Sequence, residues 1–243
     1  MWWRAFVVMI AVSLGLTGTI QASAQISDSG VPAGAIDGAA ISYQPAEVSF
    51  DAPTATYFNL LVFTFADDDA ATTAQDALPQ QIADVVSGGV EHDAADRPGL
   101  VQVNGADLDG LDGIGEDARA YEQRFDEGSG GSSIGLLTVR EGANVFIWVA
   151  FALDFGAVLG DEGTPTVTPS STPTSAGAGQ GVTDLVEIAD TWFNGDKPEG
   201  GALIDQLPTV DQLPEGYVAT ERYENLDDFD NAGSGFSGLA RAA

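Results

Sequence analysis

The densest group of chemically capable side chains in the sequence is Asp107-x-Asp109-x-x-Asp112-Gly-x-Gly-Glu116-Asp117. Carboxylates separated by glycine turns suit Ca²⁺, which takes several oxygens in loose geometry. The spacing departs from the helix-loop-helix calcium loop, because Leu111 stands where a ligand belongs two residues after Asp109. It supplies only one fragment, Gly113-x-Gly115-x-Asp117, of a glycine-aspartate repeat. Asp107, Asp109, Asp112, Glu116 and Asp117 are therefore the candidate cation ligands, against the alternative of a solvated turn leading into a strand.

Other chemistries have less to stand on. Gly131-Ser-Ser-Ile-Gly135 spells the G-x-S-x-G of a nucleophile elbow. The elbow needs a strand before it, a helix after it and a later histidine. Here a strand follows, and the single histidine, His92, comes earlier, so the motif reads as a hairpin loop. His92 stands in a polar Glu91-His92-Asp93 stretch that suits a solvated side chain. With no cysteine and one histidine, the chain alone offers no thiolate nucleophile, disulfide or multi-histidine metal site. Its one lysine, Lys197, lies in Gly-Asp-Lys-Pro, outside any phosphate-loop pattern. No catalytic residue is nominated, and no cofactor is implied beyond the Ca²⁺ option.

Charge narrows the partners. The 243 residues carry 37 Asp plus Glu against 8 Lys plus Arg, a formal charge of −29. Such a surface repels phosphate backbones and anionic lipid heads, so neither nucleic acid nor an anionic lipid surface is expected as a direct partner without bound cations. Hydrophobic residues at 44% and charged residues at 19% still describe a chain able to build a core.

The amino terminus supplies an address. Arg4 precedes an almost unbroken apolar run from Ala5 to Ile20, and Ala22-Ser23-Ala24 is a small-residue processing site. This is the pattern of a secretory signal peptide over residues 1–24, cleaved after Ala24. The run is shorter than the roughly 20 residues a spanning helix needs. A secreted or extracytoplasmic protein with no integral span in its mature chain is expected. Removal of the leader deletes Arg4 and no acid, leaving the remainder one unit more negative.

The elements that would position these residues follow from periodicity. Ala55 to Phe65 is too continuously β-branched and aromatic for an edge, which makes it a central strand. Asp67, Asp68 and Asp69 then stand where a helix needs a cap and negative charge, and Ala74, Ala77, Leu78, Ile82, Val85 and Val86 recur at helical spacing, with Pro79 a kink or restart. Leu100–Val103 is a minor strand, and Ala118–Phe125 a further one. Ile134–Glu141 and Val145–Leu153 form a hairpin around Gly142-Ala143-Asn144. Val182 to Phe193, capped by Thr183, is an amphipathic helix.

The domain reading is one α+β unit over 25–160 plus 182–200, interrupted by a disordered Ser/Thr/Pro/Gly insertion at 161–181 and followed by an acidic tail at 201–243. Its fold is an antiparallel sheet of about four to five strands with two packed helices. Asp205-Gln-Leu-Pro208 recurs as Asp211-Gln-Leu-Pro214, too short for a repeat unit.

The order strand, helix, strands, then Gly115-Glu-Asp-Ala-Arg-Ala-Tyr121, Leu137-Thr-Val-Arg-Glu-Gly-Ala-Asn-Val-Phe-Ile-Trp148 and a final amphipathic helix resembles the PsbP-like fold over about residues 55–193. That fold occurs in photosystem accessory proteins, actinobacterial secreted lipoproteins and sensor domains of receptor kinases. The resemblance implies a non-enzymatic binding, accessory or sensor module and carries over no catalytic residue. The chain departs from it in lacking cysteine and a kinase domain and in its Thr/Pro excursion. An unidentified protein or a small apolar ligand is the expected partner, with Tyr121, Trp148 and Trp192 as contacts or as core. A carboxylate-dependent secreted hydrolase and a calcium-binding extracellular protein are the alternatives.

Overall fold

A computed structural model describes residues 31–46, 54–87, 100–103, 111–124, 133–154, 180–195, 197–198 and 200–231. The leader at 1–24, His92, Asp107, Asp109 and all but the last two residues of the 161–181 insertion lie outside the described residues.

The chain is α+β, and among the described residues seven antiparallel strands form one sheet. In chain order these are β1 (Asp37–Pro45), β2 (Thr54–Thr64), β3 (Val101–Val103), β4 (Asp117–Arg124), β5 (Ser133–Glu141), β6 (Asn144–Asp154) and β7 (Tyr217–Tyr223). Their spatial order is β3-β4-β5-β6-β2-β1-β7. Helix α1 (Asp68–Ser87) follows β2, α2 (Gln180–Phe193) follows β6, and a short α3 (Leu226–Asn231) follows β7.

The two most apolar strands lie side by side. β2 and β6 pair along their whole length from Thr54↔Asp154 to Thr64↔Asn144. Because side chains alternate across a strand, Phe58, Leu60, Val62, Phe146, Trp148 and Ala150 serve one face. Leu61, Phe63, Val145, Ile147 and Val149 serve the other. Each face meets its own helix: α2 lays Val182, Leu185, Ile188, Ala189 and Trp192 on the first, and α1 lays Ala71, Leu78 and Ile82 on the second. The result is three layers, with the sheet between helices.

Local chemistry fixes the helix ends. The Asp67 carboxylate accepts the Ala70 backbone N–H at 2.8 Å, capping α1. Pro79 lies inside α1, which continues through it. A buried Gln75 amide ties α1 down, donating to the Asp117 carbonyl at 3.1 Å and the Thr138 hydroxyl at 3.3 Å. α2 starts at Gln180, earlier than its apolar spacing predicts, so Thr183 lies within the helix rather than at its cap. Its first turn fits because Gly135, Ala150 and Ala152 make a small-residue floor beneath Gly181 and Val182.

Among the described residues the sheet has seven strands where four to five were expected, and residues 201–231, the described part of the expected acidic tail, are folded. β1 opens with Gly38-Ala39-Ala40, residues of modest strand propensity that nonetheless pair with β2, and from Ala40 onward β1 also pairs with β7. Gly38 is required there, since a methyl group would meet the Phe63 ring at 2.5 Å and Leu226 at 2.9 Å. Residues 201–231 form two 3₁₀ turns (Leu203–Gln206 and Val210–Gln212), β7 and α3. Each Asp-Gln-Leu-Pro copy straddles the end of one 3₁₀ turn and buries its leucine, Leu207 or Leu213, in the layer shared with α2. The Pro208 carbonyl accepts the buried Tyr43 hydroxyl at 2.6 Å. On the opposite face Phe229 of α3 packs on Tyr223 and Phe63, with ring centroids 5.2 and 5.6 Å away.

The α2 contact yields a direct test. A methyl group on Gly135 would come 2.7 Å from Val182 Cγ2 and 2.8 Å from the Val182 backbone nitrogen. Gly135→Ala is expected to cost about 1–3 kcal/mol in urea denaturation, through overpacking. An unchanged midpoint would contradict this seating of α2.

Candidate functional site

The acidic loop enters β4 through a compact turn. Gly113 and Gly115 adopt φ of 97° and 58°, and Ile114 between them is buried at 1% exposure, anchoring the loop to the core. A side chain at Gly115 would strike Val139 at 2.4 Å. The Glu116 N–H donates to the Arg140 carbonyl at 2.9 Å, extending the β4–β5 pairing.

Of the five carboxylates expected to hold a cation, three are described, and the structure gives two of them other partners. Arg140 reaches Glu116 at 2.6 Å. Arg119 reaches Asp117 at 2.6 Å and Asp76 of α1 at 2.5 Å. Hydrogen bonds that the guanidinium donates to Asp117 first, then to Asp76, raise the Arg119 pKa above its ordinary value. Asp112 is exposed. Among the described residues, no group of three or more His, Cys, Asp or Glu converges as a metal set. Glu116 ties the loop to β5 and Asp76 ties α1 to β4 through these arginines.

The other nominated residues separate widely. Ser133 of the G-x-S-x-G motif is the buried first residue of β5, aligned with Ala152 and Arg124. It therefore sits in a sheet ladder, without the strand-to-helix turn an elbow requires. Tyr121 is 8% exposed and packs on the α1 side of the sheet, whereas Trp148 and Trp192, at 0% and 3%, lie in the α2 layer. Tyr121 is thus on the opposite face of the sheet from the two tryptophans.

A polar cluster at the end of α2 was not foreseen. Lys197 pairs with Glu141 at the β5–β6 turn and lies 4.7 Å from the Phe146 ring centroid and 4.9 Å from that of Phe193. Burial pushes its ammonium below the usual lysine range. The signal was its solitude: the only lysine in the chain follows an amphipathic helix that ends in Trp192-Phe193. Chemically it is a latch, a cation held between a carboxylate and two aromatic faces. Comparison of the chain with protein-family models, curated proteins and solved structures found no match.

Two outcomes follow from this geometry. With Glu116 and Asp117 paired to arginines, calorimetric titration with millimolar Ca²⁺ is expected to give no stoichiometric heat and no rise in melting temperature; either response would establish the loop as a cation site. Burial pushes Tyr43, Tyr57, Tyr217 and Tyr223 up to about 12. The unfolded chain releases these protons near pH 10, so their contribution is complete below pH 10 and lost as pH rises toward 12. Phenolate absorbance should therefore rise together with loss of the native circular dichroism. Full ionisation at pH 10 in a still-native protein would contradict the assigned burial.

Proposed function

We propose that the chain is a secreted, non-catalytic binding or accessory module of the PsbP-like kind that engages a protein partner through its rim. One observation carries the choice of partner. Both sheet faces are roofed by helices, and Trp148, Trp192 and Tyr121 are consumed in the two cores. A small apolar ligand would have to enter a layer already filled by Phe58, Leu60, Trp148, Leu185 and Trp192. The rim is different, since the acids and the sheet edges are there. The signal-peptide pattern before Gln25 supports the extracytoplasmic address. Among the described residues, no helix is long and apolar enough to cross a membrane.

The exported chain starting at Gln25 provides the test. Titration with the neutral apolar fluorophore N-phenylnaphthylamine is expected to show no saturable uptake, while cross-linking in the culture medium links the chain to a protein at fixed stoichiometry. One-to-one uptake of the fluorophore would replace the protein partner with a small apolar ligand. Turnover of an ester or glycan panel, abolished by substituting one carboxylate, would overturn the non-catalytic reading.

A further inference from the structure

The sheet has two ends with different capacities. β3 is three residues long, too short to template another strand. β7 spans seven residues, Tyr217–Tyr223, and among the described residues it is hydrogen-bonded in the sheet only to β1. Val218 to Arg222 are all exposed, so β7 projects beyond the layers that bury the strands behind it.

Its side chains give this edge a character. Val218 is 40% exposed and Val210, in the 3₁₀ turn packed on β7, is 39% exposed. Exposed acids surround them: Asp211 and Glu215 before the strand, Glu221 within it, Glu224 and Asp227 after it. Arg222 is the only base between residues 200 and 231, and its Nε lies 3.1 Å from Glu224. Ser42 of β1 faces Glu221 while the next residue, Tyr43, faces Ala219, leaving Thr220 as an extra residue in β7. Bulges and charges are devices that keep an edge from pairing indiscriminately. Here the charges have one sign. A second copy of the exported chain would bring −30 against −30, which disfavours self-pairing.

We infer that the outer edge of β7 receives a basic, extended segment of a partner protein as an added strand. Main-chain hydrogen bonds to β7 supply the binding, Val210 and Val218 give apolar footing, and the surrounding carboxylates select lysine and arginine. The inference rests on the reading of the chain as a partner-binding module and assigns that role to one edge.

The experiment uses the full exported chain and a fluorescent peptide of alternating lysine and valine, followed by anisotropy at moderate salt and by amide exchange across residues 217–223. Saturable binding with new exchange protection in β7 is expected. It should be lost with the same peptide carrying N-methyl groups on alternate residues, which keeps the charge but removes hydrogen bonding. The double variant Glu215→Lys/Glu221→Lys is expected to weaken binding roughly tenfold or more, whereas Glu187→Lys/Asp190→Lys on the exposed side of α2, with the same change in net charge, leaves it unaltered. Equal binding of the N-methylated peptide, or equal weakening by the α2 pair, would reduce the effect to diffuse attraction and overturn the inference. A natural partner that stays bound to the Glu215→Lys/Glu221→Lys chain would also overturn it, while leaving the broader binding-module reading intact.

Discussion

Everything in this molecule is hung on the pairing of β2 with β6. Eleven consecutive residue pairs run in unbroken register from Thr54↔Asp154 to Thr64↔Asn144, and their side chains are apolar on both faces through the middle. Strands of this kind cannot serve as an edge or face water, so the sequence demands a partner strand on each flank and a covering layer above and below. β5 and β1 meet the first demand, α2 and α1 the second. The phase of the register decides which aromatic belongs to which layer. A slip by one residue would exchange Trp148 with Ile147 and Phe58 with Tyr57 across the sheet.

The polar groups act as fasteners between these layers. Arg119 joins α1 to β4 through Asp76 and Asp117, Arg140 joins the loop before β4 to β5, and Lys197 joins the segment after α2 to the β5–β6 turn. Three of the chain's few basic residues are thus engaged at junctions, which leaves the exposed acids of the rim with little local neutralisation. A sparse supply of cations therefore produces both the internal ties and the outward field. Tyrosines contribute in the same manner: Tyr43 and Tyr217 donate across elements to the Pro208 and Thr56 carbonyls, at 2.6 and 3.0 Å.

Elements with strong, uniform patterns were legible in the sequence. β2, α1, the β5–β6 hairpin and the apolar face of α2 follow from period and turn chemistry, with bounds shifted by only a residue or two. β1 carries little strand signal in the sequence, because Gly38, Ala39 and Ala40 suit close packing more than strand propensity. The C-terminal region was taken for a tail because its apolar anchors, Ile204, Leu207, Leu213, Tyr223 and Phe229, are spread singly among acids. The Asp-Gln-Leu-Pro recurrence was the available clue, meaningful only as two turns that each lower a leucine into the core. For the candidate site, the acidic loop was correctly located as the entrance to β4. Spacing could not disclose that Arg119 and Arg140, distant in sequence from some of their partners, would engage Asp76, Asp117 and Glu116.

The pairing of β1 with β7 joins stretches near opposite ends of the described chain, and the Tyr43 to Pro208 bond closes a separation of 165 residues. The β5–β6 hairpin, by contrast, closes across a tight turn. A polypeptide synthesised or translocated from its amino terminus can therefore assemble the interior of its sheet early, but β1 remains without its second neighbour until residues 217–223 emerge. Until then the outermost strand of the nascent sheet is β1, with its small buried residues unshielded. The later arrival of β7 replaces that margin with one whose Glu221 is exposed and is flanked by exposed Glu215 and Glu224.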